Sequence, residues 1–214
     1  MLKIFGATRS GSLPIEATLT LLGISYEVIE AITWESEGAR KLVETVNPLR
    51  QVPALVLPSG EVMTESAAIL IYLADLYPQP RLAPGPTDPK RAQYLRWMTY
   101  VSAAIYALFW IKGDATRIAA SEADAPRVID RIHDRIADCW RQMDEQITPG
   151  IYILGDELSV LDLYVAVVSR FGPWRTRFYG SAPKMAEIVR RVDADPRLQE
   201  FWAQRFPFDE GWER

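Results

Sequence analysis

The spacing of apolar positions changes period several times along the chain, and each change marks an element. Leu2–Gly6 has the short apolar run of a strand and stops at Gly6. "ATRSGS" follows with turn and cap residues, and Pro14 is acceptable in a helix's first turn. From Leu13 to Leu22 the apolar residues fit a helix closed by Gly23. "SYEVIE" (25–30) is a second strand, parallel to the first because a helix intervenes. A helical stretch near Gly38–Val46 ends at Asn47-Pro48, and Ala54–Leu57 with Glu61–Met63 makes a hairpin around Pro58-Ser59-Gly60. Thr64-Glu65-Ser66 then opens a helix to Tyr77 that is apolar nearly all round, which calls for cover on more than one side.

The order β-α-β-α-β-β-α is that of a thioredoxin-like domain, placed at residues 1–77. Residues 78–89, "PQPRLAPGPTDP", hold five prolines and form a linker. Residues 90–214 read as all-helical, with long helices at 90–112 and 122–147 and shorter ones near 160–171, 183–193 and 196–204. "SVLD" (159–162) has capping-box spacing ahead of an apolar helix. The predicted fold class is therefore α/β followed by all-α.

Composition narrows the chemistry. With 49% hydrophobic and 24% charged residues, the 214-residue chain has the balance of an ordinary soluble protein, and no stretch is long and apolar enough for a membrane helix. A single cysteine, Cys139, excludes an internal disulfide framework and suits a reducing, cytoplasmic setting; it sits mid-helix, as a packing residue. A single histidine, His133, argues against a His-based metal site or a Ser-His-Asp triad, and its place in "DRIHDRIAD" predicts a solvated or salt-bridged role; no metal is expected. Net charge is −4, all of it in residues 1–77, and no basic face presents itself to nucleic acid. An anionic ligand must be held by local groups.

One local anomaly suggests where. The apolar strand after Arg50-Gln51 is entered through Val52-Pro53, although proline cannot donate to a sheet ladder. A fixed turn, of the kind a cis proline makes, accounts for it, and would offer the backbone of Val52 to a peptide-like ligand. Twelve residues past Pro53, Glu65-Ser66 opens a helix whose free N–H groups favour an anion.

The blocks "NPLRQVPALVLPSGEVMTESAAILIYLADLYP" (47–78) and "YILGDELSVLDLYVA" (152–166) closely resemble the glutathione-site and C-terminal folding motifs of the cytosolic glutathione transferases, and the resemblance covers nearly the whole chain. It implies glutathione as cosubstrate. The γ-glutamyl carboxylate would sit at the helix start beside Ser66, the amino group by Glu65, the cysteinyl unit along Val52, and the other polar ends near Gln51 and Arg50. It implies a cis Pro53, a homodimer, and an apolar electrophile bound against the 90–112 helix. Candidates for that pocket are Tyr100, Tyr106, Phe109 and Trp110, with Trp174, Phe178 and Tyr179 able to close over it, while Tyr94 and Trp97 belong to core and interface.

Two departures stand out. Family members carry a Tyr, Ser or Cys just after the first strand to favour the thiolate, whose parent thiol has a pKa of about 8.5. Here Phe5-Gly6 leaves only hydroxyls: Ser10 first, then Ser12, then Thr8. The loop "AITWESEGA" (31–39) also lacks the basic residue that several bacterial members place there; Trp34, Arg40, Lys41 or Arg50 could compensate. The implied reaction is conjugation of the glutathione thiolate to an apolar electrophile. Isomerisation, peroxide reduction or ether cleavage in the same site, or a non-catalytic binding role, are the alternatives.

Overall fold

The computed structural model describes residues 1–171 and 175–208. Four strands, β1 (Leu2–Gly6), β2 (Tyr26–Glu30), β3 (Ala54–Val56) and β4 (Val62–Thr64), form one sheet in the order β2-β1-β3-β4. β1 and β2 run parallel across the helix α1 (Leu13–Leu22), whereas β1–β3 and β3–β4 are antiparallel. Alternation along the strands sorts the two faces. Ile4 and Leu55 point to a large core with α1 and α3 (Ser66–Leu76), while Phe5 and Ala54 pack with Val43 of α2 (Glu37–Glu44) on the other side. This is the predicted thioredoxin-like arrangement, with the second hairpin strand shifted by one residue to Val62–Thr64.

The remainder is helical: α4 (Arg91–Tyr100), α5 (Leu108–Gly113), α6 (Ala125–Gln146), α7 (Val160–Val168), α8 (Arg175–Ser181), α9 (Pro183–Asp193) and α10 (Gln199–Arg205). All nine residues of α7 are buried, and α7 packs on α1, α3, α4 and α9, so a single helix joins the cores of both halves. Its start is fixed by Asp162, which accepts from the N–H and hydroxyl of Ser159 (2.8 and 2.6 Å) and the N–H of Ile153 (2.9 Å). The "SVLD" expectation is thus met. Arg91 of α4 clasps Asp75 of α3 through two contacts of 2.8 and 2.7 Å, and the linker carbonyl of Leu82 accepts from Val160 N–H.

Three expectations need correction. The helix read as 90–112 is wound in three pieces, because Val101–Tyr106 forms a π-helical segment in which Ala107 N–H reaches back to Ser102 C=O. An unbroken run of small and apolar side chains carries no mark of that change in pitch. The helix read to 171 ends at Val168, and α8 was absent from the prediction, its short polar stretch lacking an apolar period. His133 is half-buried, with Nε2 buried and no partner among the described residues, so it is neither well solvated nor salt-bridged. Burial, then Lys112 and Arg177, holds its imidazole below the ordinary range. Cys139 is buried against the π segment, its Sγ 3.5 Å from Ala104 C=O.

Candidate functional site

A cleft of about 860 Å³ opens between the sheet-bearing half and the start of the helical half, lined from both sides. The first half contributes Ser10, Gly11, Trp34, Gln51, Val52, Pro53, Glu65 and Ser66; the second contributes Ser102, Tyr106, Phe109, Trp110 and Phe171.

The loop after β1 folds back on itself through its own hydroxyls. Ser10 Oγ accepts from the N–H groups of Ala7 and Ser12, both at 3.2 Å, and lies 2.9 Å from Ser12 Oγ. Ser12 is fully buried and its hydroxyl, instead of capping α1, donates to Oε1 of Glu16 at 2.6 Å. Gly6 makes room for this, since a Cβ there would strike Ser12 Oγ. Glu16, itself without exposed surface, is met by Arg205 of α10 at 2.7 Å. Arg205 also holds Glu30, which accepts from Thr8 N–H, and its carbonyl accepts from Arg9 N–H. Arg9 sits at φ 58°, a left-handed conformation uncommon for arginine. Of the three candidates, then, Ser10 lines the cleft, Ser12 is buried outside the lining, and Thr8, held to Glu30 through its backbone N–H, is not among the cleft residues.

The second wall is set by a turn at Asn47. Its side chain donates to Gln51 C=O (2.8 Å) and accepts from Leu49 N–H (3.1 Å), which presents Gln51 and a half-buried Val52 to the cleft ahead of β3. The Val52–Pro53 peptide is cis. Arg50 is directed elsewhere: at φ 59° it pairs with Glu37 and Glu44 on α2, outside the cleft lining.

The third wall is the start of α3. Glu65 takes the N-cap position at φ 65° and ψ 104° with no side-chain cap, so the first N–H groups of the helix face the cleft without a covering side chain. A non-glycine residue held there stores roughly 1–3 kcal/mol of strain, a feature that concentrates at ligand clamps. Ser66 is nearly buried and donates to the Tyr164 hydroxyl of α7 at 3.1 Å. Burial pushes the Tyr164 phenol up to about 12, against the opposing effect of its hydrogen bonds with Ser66 and Ser102.

Aromatic rings close the far side. Tyr106 stacks on Phe171 (5.7 Å) and meets Phe109 and Tyr164 edge-on. Its hydroxyl lies over Gly11, so tightly that a Cβ on Gly11 would collide with it. Burial, reinforced by Tyr164 and Glu65, raises the Tyr106 phenol well above its usual range. Lys112 ties this wall together by donating to Phe171 C=O. Trp34 and Trp110 stand exposed at the mouth. Tyr100 lies apart: its hydroxyl donates to Cys139 C=O and its ring abuts Trp97. Phe178 packs against Trp140 in the core, Tyr179 is not among the cleft residues, and Trp174 lies outside the described residues. Glu16, Arg205, Asn47, Tyr164 and Phe171 were not singled out from the sequence. Only Asn47, beside Pro48 at a helix end, carried a local signal for a turn.

A thioredoxin-like half, a helical half and a cleft between them define a class to which known proteins give a name. Residues 12–76 match the model of the glutathione S-transferase N-terminal domain. The chain is 32% identical over 202 residues to the uncharacterized GST-like protein YncG of Escherichia coli, covering 94% of this chain and 96% of that one. It is 30% identical over 158 residues to maleylacetoacetate isomerase of Rattus norvegicus, covering 71% and 68%. A glutathione transferase homologue from Sulfitobacter, solved with bound glutathione, superposes with a TM-score of 0.82 at 22% identity, covering 95% and 98% of the two chains. The chain belongs to the glutathione S-transferase family. Among the described residues no helix is long and apolar enough to cross a membrane.

Proposed function

We propose that the protein binds glutathione in this cleft and joins its thiolate sulfur, which stays on glutathione, to an apolar electrophile. The observation that carries the reading is the strained, uncapped start of α3 at Glu65–Ser66, facing the cleft across from Val52. A helix start without a side-chain cap suits a carboxylate, and Val52 suits the backbone of a short peptide. Residues 1–77 act as the glutathione-binding domain, with 78–89 as linker and 90–214 supplying the second pocket. In that pocket Tyr106, Phe109, Trp110 and Phe171 offer ring faces to a flat, apolar partner.

Ser10 is the hydroxyl placed to approach the sulfur. A donor there favours thiolate over thiol, and the cleft's aromatic wall excludes water from the reacting atoms. A symmetric homodimer in the cytoplasm is the expected state. Calorimetry tests the core of the proposal: one glutathione per chain is expected, and no heat at millimolar ligand would sink it. The relatives named as isomerases supply the second reading, a glutathione-dependent isomerase with the same glutathione contacts. Turnover of a cis-enone without glutathione consumption would favour it over conjugation.

A further inference from the structure

The hydroxyls beside the cleft obey a hydrogen count. Ser12 has one hydroxyl hydrogen, and Oε1 of Glu16 takes it at 2.6 Å. Glu16 faces Nε and Nη2 of Arg205 at 2.7 and 3.2 Å, so its carboxylate serves as acceptor only. The 2.9 Å contact between Ser10 and Ser12 must then be donated by Ser10. Ser10 Oγ also accepts two N–H groups, from Ala7 and Ser12. Its hydrogen and both lone pairs are occupied. The hydroxyl that lines the cleft therefore has its hydrogen turned inward, away from any ligand.

We propose that Ser10 and Ser12 form a two-position hydrogen-bond relay whose resting direction is set by Glu16, with Arg205 as the positioning residue that holds Glu16. This rests on the glutathione reading above. At rest the hydrogens run from Ser10 to Ser12 to Glu16. With a thiolate in the cleft, the Ser10 hydrogen turns to the sulfur, the Ser12 hydrogen turns to Ser10 Oγ, and the Ala7 N–H, which also lies 3.3 Å from Ser12 Oγ, passes from Ser10 to Ser12 so that neither oxygen accepts more than two hydrogens. Glu16 then gives up one donor and keeps both contacts to Arg205. No covalent bond changes in the relay, and the thiol's own proton leaves to solvent. The buried carboxylate and the sulfur thus compete for one line of hydrogens, and the guanidinium of α10, itself outside the cleft lining, decides how hard the carboxylate pulls.

The relay predicts shifts of opposite sign. Ser12→Ala removes the inward acceptor and frees the Ser10 hydrogen for the sulfur. The pKa of bound glutathione thiol should fall by about one unit, the size of one charge-assisted hydrogen bond. Arg205→Gln strips the carboxylate of its cation and should raise that pKa by about as much, while Arg205→Lys restores most of it. The readout is thiolate absorbance of the glutathione complex across pH. A purely structural role for these residues would loosen the loop and move both variants toward the free thiol value. Shifts of the same sign, or no fall in Ser12→Ala, overturn the relay. Should Ser12→Ala not fold, Glu16→Gln takes its place: a weaker acceptor must also lower the thiol pKa, and a rise refutes the proposal. Absence of glutathione binding to the unmodified protein would overturn the glutathione reading and the relay together. Binding with wrong-signed shifts overturns the relay alone.

Discussion

Tyr164→Phe separates stability from ligand affinity at the start of α3. In the structure the Ser66 hydroxyl is committed to Tyr164 at 3.1 Å, on a nearly buried side chain, with Ser102 as a second hydrogen-bonding neighbour of the phenol. A carboxylate at this helix start would draw the same hydroxyl. Deleting the phenol oxygen removes a neutral hydrogen bond and leaves the buried Ser66, and Ser102 at the cleft edge, short of a partner. A loss of about 1–2 kcal/mol in unfolding free energy follows. The same deletion releases Ser66 from a competing acceptor, so glutathione should bind up to roughly fivefold tighter, the equivalent of about 1 kcal/mol. Urea denaturation and calorimetry measure the two quantities. The phenol is pushed up to about 12, so it stays neutral and both effects should be flat between roughly pH 6 and 9. Affinity that falls along with stability would refute the reasoning, because Tyr164 would then be holding Ser66 in its binding pose.

Two further outcomes test the frame around the site. Asp162→Ala removes the acceptor of two buried N–H groups and the Ser159 hydroxyl, and should lower stability by roughly 2–5 kcal/mol; a loss below about 1 kcal/mol in urea titrations would show that the start of α7 does not depend on this cap. His133 has its folded-state pKa held below the unfolded value, so the unfolded chain binds the proton first and stability declines as pH falls below roughly 6.5. Replacing His133 with Gln should flatten the melting temperature across that window, and an unchanged slope would assign the decline to other groups.

The framework of the fold was readable because its punctuation is local. Gly23 adopts φ 65° to close α1, Gly60 adopts φ 90° in the hairpin, and Ser159 with Asp162 starts α7, each where its residue type is suited. Val52-Pro53 was legible as a breach of a local rule, a proline before a strand, and Glu65-Ser66 as the keeping of one, acidic and hydroxyl residues at a helix start. What escaped was long-range or isotropic. Glu16 reads as one polar residue in the first turn of a largely apolar helix, and nothing nearby in sequence announces a partner 189 positions away. The π segment is hidden because small and apolar residues satisfy either winding. Tyr100 and Tyr106 are aromatics six apart on one helix by sequence, a spacing that sets them on different faces without saying which face meets the cleft; Tyr106 enters it and Tyr100 turns to α6.

The clasp between Arg205 and the loop at 7–12 also sets a schedule for synthesis. On the ribosome the sheet-bearing half emerges first, with Glu16 due to be buried without the cation that later meets it. Thr8 and Arg9 likewise await the acceptors that α10 positions or supplies. The residues made earliest therefore take their final arrangement only after one of the last helices has docked. Until that moment the nascent chain can own a complete thioredoxin-like sheet and still lack a finished hydroxyl loop, so the molecule acquires its shape before it acquires its chemistry.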